Sequence, residues 1–208
     1  MEMQRTEAWF ADRMGCVTAS RVADVMAKTK SGYSASRANY MAQLLCERLT
    51  GNREESYINA AMQRGTDLEP KARAMYEFHT GLSVVEVGFV PHSSIANCGA
   101  SPDGLVGYDG LVEIKVPNSA THIATLRGSP IDDRYMKQMH LQMLCTGRIW
   151  CDYVSFDDRL PEAMQLHIRR VNLDPELAGY MEAEIIKFLN ELDAMIEDLS
   201  ERYMKDAA

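Results

Sequence analysis

Before residue 80 the apolar residues of this chain recur every three or four positions, and from Leu82 onward they alternate. That change of period confines the fold to helices followed by sheet. Thr18 can cap a helix through about Ala27, and Ser36 another carrying Tyr40, Met41, Leu44, Leu45 and Leu49, which Gly51 ends. Residues 56–64 and 66–79 read as two further helices, with Gly81 as the stop and Pro70 tolerated in the first turns of the second. Strands are then expected at 84–90, 97–100, 105–106 and 111–116, and turn signals at Pro91-His92-Ser93-Ser94 and Tyr108-Asp109-Gly110 make them an antiparallel meander. Helices over about 119–126 and 133–145, strands over 149–156 and 165–171, and one long amphipathic helix over about 174–205 complete the pattern. It predicts an α/β fold, a mixed β-sheet flanked by helices with a helical N-terminal region and a long C-terminal helix, and not a doubly wound nucleotide-binding one.

The strand region carries the chemistry. Ser101-Pro102-Asp103-Gly104 is followed, after one short hairpin, by Glu113-Ile114-Lys115. An aspartate at a strand end, with glutamate and lysine two residues apart on the next strand, places two hard oxygen ligands and one ammonium on a common face. That set suits metal-assisted hydrolysis of a phosphodiester: carboxylates hold Mg²⁺ at the scissile phosphate while the lysine orients or deprotonates water. A lone E-x-K is nonetheless weak, because alternation on any half-exposed strand produces it.

Composition excludes several classes. The 208 residues suit one domain, with a core over about 8–171 followed by the C-terminal helix. No apolar run is long enough to cross a bilayer, and the polar start at Met1 lacks a signal peptide's apolar stretch, so a cytoplasmic protein is expected. The 5 cysteines form no C-x-x-C pair, which argues against a disulfide framework and against zinc or iron-sulfur clusters. A net charge of −8 opposes nucleic-acid binding at first sight. Lys and Arg are concentrated over residues 5–73, however, and Asp and Glu over 174–201, so a local groove could be positive on an acidic whole. Between the first helices, residues 28–34 form a basic turn-rich loop that reads either as a phosphate contact or as a solvated linker.

Further motifs stand in order with these: Arg13-Met14-Gly15-Cys16-Val17-Thr18-Ala19-Ser20, Arg64-Gly65-Thr66-Asp67-Leu68-Glu69 and Tyr135-Met136-Lys137-Gln138. Together they resemble the lambda-exonuclease, YqaJ-type viral recombinase branch of the PD-(D/E)XK nuclease superfamily, over about residues 8–156. The resemblance implies that Asp103, Glu113 and the backbone carbonyl of Ile114 hold Mg²⁺ or Mn²⁺, as two ions, while Lys115 activates water, tuned by Glu69, and Gln138 faces the site. Arg13, Ser20 and Ser101 match positions that bind a 5′-terminal phosphate. Lys28 and Lys30 fall in the family's DNA-contacting loop, Lys30 standing in place of an arginine. His140 stands where the best-known member has a second glutamine, and either a hydrogen-bonding or a core role is open to it.

The activity so implied is Mg²⁺-dependent 5′-to-3′ digestion of one strand of linear double-stranded DNA from a 5′-phosphorylated end, leaving a 3′ single-stranded overhang for recombination. A homotrimer and a phage single-strand annealing protein as partner are implied with it. The rivals are a related PD-(D/E)XK endonuclease or RecB-like nuclease, and a non-catalytic DNA-end-binding module. Against the last, a carboxylate cluster kept beside DNA without use would only repel phosphate.

Overall fold

The computed structural model describes residues 4–53 and 59–204. A five-stranded sheet forms the centre, in the order β10 (Leu166–Asn172), β9 (Trp150–Phe156), β8 (Gly110–Lys115), β7 (Gly104–Val106), β4 (Val84–Val85). β8 pairs parallel with β9 and antiparallel with β7, so the sheet is mixed, as the pattern of elements predicts. Alternation along β8 sends Val112 and Ile114 to the face covered by α4 (Ala60–Thr80), where they pack with Ala72 and Tyr76. Leu111 faces the other way, into a cluster with Met139 and Met143 of α6 (Asp133–Thr146). Glu113 and Lys115 share that second face by the same two-residue period.

The N-terminal helices α2 (Val22–Val25) and α3 (Ala35–Thr50) form a second core with α7 (Pro175–Tyr203), and α1 (Glu7–Arg13) lies outside it with no buried residue. Tyr40, Leu44, Met181, Ile185 and Phe188 are buried there. A small sheet of β1 (Val17–Thr18), β6 (Cys98–Ala100) and β5 (Val90–Pro91) packs into this second core. α5 (Ser119–Leu126) has the expected bounds because Asn118 caps it, accepting from Thr121 N, and Asp174 caps α7 with Pro175 in the first turn.

Several expectations need correction. The two helices expected over 56–64 and 66–79 are one, which runs through Gly65 and Pro70; residues 56–58 of that reading, and residue 205 of the last helix, lie outside the described residues. Arg64 ties the first half of α4 down by donating to Asp157 at 3.0 Å and Asp158 at 2.7 Å, which offsets the local helix penalty of glycine. Segment 84–90 is not one strand: β4 pairs with β7, whereas β5 joins the small sheet. The helix expected over 18–27 is a strand end, a 3-10 turn and the short α2, and α3 is capped at Ser34 and not Ser36. Charge is not segregated in space either. α7 lies against the basic region, with Arg37 to Glu191 at 2.7 Å, Arg48 to Asp193 at 2.6 Å and Lys28 to Glu184 at 2.8 Å.

Candidate active site

The hairpin geometry follows from where β7 begins. Its ladder with β8 ends at Gly104 opposite Val112, so Ile114 lies beyond the last pair. Asp103 fills the gap: its Oδ2 accepts from Ile114 N at 2.6 Å. The N–H and C=O of one strand residue project to the same side, so the Ile114 carbonyl also faces the region Asp103 occupies, free of a β7 partner.

Glu113 is 1% exposed, a costly place for a carboxylate without donors. It has three. Gln138 Nε2 donates to Oε1 at 2.6 Å, Gln142 Nε2 to Oε2 at 2.6 Å, and the Lys115 ammonium makes a short contact with Oε1. Lys115 also reaches Gln138 Oε1 at 3.4 Å and lies 4.7 Å from the centre of the Tyr135 ring.

Electrostatics fit a site that wants more positive charge. Burial, then the charge of Glu113, pushes the Asp103 carboxyl well above the usual carboxylate range. Burial by itself would lower Lys115, but the charges of Glu113 and Asp103 outweigh it and hold the ammonium above its ordinary value. Lys115 therefore stands against the carboxylates as a partial stand-in for a cation. Among the described residues no three His, Cys, Asp or Glu side chains gather as a ready-made metal cage. Two carboxylates and one backbone carbonyl form a sparse oxygen set, which suits Mg²⁺ because that ion keeps several of its waters.

The structure brings Asp103, Glu113, Lys115, Ile114 and Gln138 together. Glu69 is near enough for its charge to raise Asp103, but its own partners are Arg73 at 2.7 Å and Arg5 at 3.0 Å. The charges that act first on Lys115 are those of Glu113 and Asp103, while that of Glu69 acts on Asp103. His140 is core. It is 1% exposed, its Nδ1 pairs with Met136 O at 2.7 Å, and its Nε2 accepts from Asp174 N at 3.2 Å. The second glutamine on the site is Gln142, one helical turn beyond Gln138. The i, i+4 spacing was the available signal, since position 140 sits on another face of α6.

Arg13 and Ser101 meet. Arg13 Nη1 donates to Ser101 Oγ at 3.0 Å, and Trp9 Nε1 donates to the same oxygen at 2.9 Å. Both lone pairs of Ser101 Oγ are thereby used, leaving its hydroxyl hydrogen as a donor. The Arg13 guanidinium lies 4.2 Å from the centre of the Trp9 ring, and burial lowers its pKa without removing its charge. It forms no ion pair among the described residues. Arg13, Trp9, Thr18, Ser20 and Arg53 line a cavity of about 430 Å³, and Ser20 Oγ sits 3.4 Å from Thr18 Oγ1. Glu47 also lines it, its carboxylate taken up by Gly15 N and Gln43 Nε2. Trp9 was not anticipated, and no motif marks it.

The basic loop is a two-stranded ribbon of β2 (Lys28–Thr29) and β3 (Gly32–Tyr33). Lys28 is exposed but lies along α7, where it donates to Tyr180 Oη at 2.6 Å and to Glu184. Lys30 is exposed at the ribbon tip. The two lysines thus stand in different surroundings.

Residues 8–149 match the family described as the YqaJ-like viral recombinase domain. The alkaline exonuclease LHK-Exo from Laribacter hongkongensis is 57% identical, with a TM-score of 0.90 over 96% of this chain and 99% of that one. LHK-Exo in complex with dAMP matches with the same values. A phage related exonuclease from Haemophilus somnus 129PT shares the fold at 15% identity, with a TM-score of 0.69 over 89% of this chain and 96% of that one. Comparison with curated proteins finds no match.

Proposed function

We propose, since this chain belongs to the YqaJ-like viral recombinase family, that it is a DNA exonuclease cutting linear duplex from a 5′-phosphorylated end in the 5′-to-3′ direction with Mg²⁺. The observation that carries the reading is the buried Glu113, held by two glutamines beside Asp103 and Lys115. Asp103, Glu113 and the Ile114 carbonyl would hold the metal. When bound, Mg²⁺ would offset the carboxylate field, stabilise charge on the scissile phosphate and lower the pKa of water. Lys115, as an ammonium, donates to and orients the attacking water, and Gln138 fixes the side chain of Glu113 between them.

Arg13 and Ser20, which line one cavity, and Ser101, bonded to Arg13, supply donors for a terminal phosphate dianion. Binding of dAMP by LHK-Exo supports release of 5′-mononucleotides. The family resemblance supports a homotrimer, a phage single-strand annealing protein as partner and action in the bacterial cytoplasm, with a single domain as the unit. Among the described residues no helix is long and apolar enough to cross a membrane.

The test is degradation of linear duplexes bearing 5′-phosphate or 5′-hydroxyl ends, beside a covalently closed circle, with Mg²⁺ and with chelator. Mononucleotides from the 5′-phosphorylated duplex alone, and none with chelator, are expected. Cutting of the circle would favour the endonuclease reading, and equal rates on both ends would remove the phosphate pocket.

A further inference from the structure

Gln142 is fully buried among the apolar residues of α6, yet its Oε1 accepts from no group among the described residues. An unpaired buried carbonyl is costly, and Met or Leu would fill the same space without it. What the amide supplies in return is one N–H on Glu113 Oε2 at 2.6 Å. The two carboxylate oxygens are therefore unequal. Oε1 lies on the side of Lys115 and Gln138, whereas Oε2 is turned into the protein and pinned by Gln142 alone.

We infer that Gln142 is a positioning residue that sets metal selectivity: by holding Glu113 Oε2 inward it leaves Oε1, where the Lys115 ammonium now stands in for a cation, as the single oxygen open to a divalent ion. This rests on the proposed reading of Glu113 as a metal ligand. Mg²⁺ demands near-octahedral coordination and takes carboxylates through single oxygens, whereas Ca²⁺ accepts more ligands and both oxygens of one carboxylate. With the Gln142 N–H removed, Glu113 can turn both oxygens forward, which favours the larger ion. Gln138 cannot supply this restraint, because it bonds the oxygen that faces the cation side. Groups that fix a ligating side chain typically change metal affinity roughly 10–100-fold when lost.

The experiment is calorimetric titration of the DNA-free full chain with Mg²⁺ and with Ca²⁺, for the unmutated protein, Gln142→Met, Gln142→Asn and Glu113→Ala. Met keeps the volume and Asn keeps the amide but is too short, so a folding failure in one leaves the other. Far-ultraviolet circular dichroism checks both. In the two Gln142 variants Mg²⁺ affinity should fall roughly 10–100-fold while Ca²⁺ affinity holds or rises. Equal losses for both ions, or no change for either, overturn the inference while leaving Glu113 a ligand. Mg²⁺ binding that survives Glu113→Ala undamaged would instead remove the underlying reading.

Discussion

Arg13→Ala tests how much of the end recognition rests on one guanidinium. Arg13 lies over the Trp9 ring, is half-buried, and points Nη1 at Ser101 Oγ. A hydrogen bond to a charged group contributes about 1.5–3 kcal/mol net, which converts to a factor of roughly 10–150 at about 1.4 kcal/mol per tenfold. A 5′-hydroxyl end offers no dianion for that bond, so the loss should fall on one substrate. The ratio of kcat/KM for 5′-phosphorylated over 5′-hydroxyl duplex should drop by that factor, with the hydroxyl rate nearly unchanged. Trp9 Nε1 still holds Ser101 in the variant, so the loop that carries Asp103 should stay in place. Arg13→Lys keeps the charge and loses the planar fork, and should give an intermediate ratio. If both rates fell together with the ratio intact, Arg13 would be a structural group and the pocket argument would fail.

Lys30→Ala should lower the slope of log affinity for DNA against log salt by about one, whereas Lys28→Ala should leave the slope alone, as measured by anisotropy titrations at several salt concentrations. Burial alone would raise the Asp157 carboxyl, but hydrogen bonds and charge from Arg159 outweigh it and hold the group well below the ordinary carboxylate range. Its stabilisation is thus present above the unfolded carboxylate range and is lost as pH falls through the lower folded value. Asp157→Asn should cost about 1–3 kcal/mol at neutral pH, with the gap to the unmutated protein closing in acid in denaturant melts. Gly110→Ala would place a methyl 2.0 Å from Trp150 Cζ2. That overpacking should cost about 1–3 kcal/mol, visible as a lower Tm.

Those parts of the fold that depend on neighbouring residues were legible in the sequence. α5 follows from its Asn118 cap, and the hairpin carrying Asp103, Glu113 and Lys115 follows from two-residue alternation and a Tyr-Asp-Gly turn. What depends on distant partners was not. Nothing near Gly65 announces that Asp157 and Asp158 hold Arg64 and keep α4 continuous. Nothing within 84–90 says that its two ends pair with different sheets. The site shows the same division: Gln138 was found by motif, while Gln142 required the helical turn to be taken from Gln138, and Trp9 required knowing that α1 folds back onto Ser101.

Ser101 and Asp103 are separated only by Pro102, whose carbonyl is further held by Gln4 at 2.8 Å. Under the proposed reading, the grip on the strand end and the carboxylate at the cut are thus joined by covalent geometry, over at most about 7 Å of chain. Loosening the cores by heat or by distant substitution can slow turnover, but it cannot change the length of that bridge. Product size should therefore stay constant while rate declines, with damage to the enzyme appearing as fewer cuts of unaltered spacing.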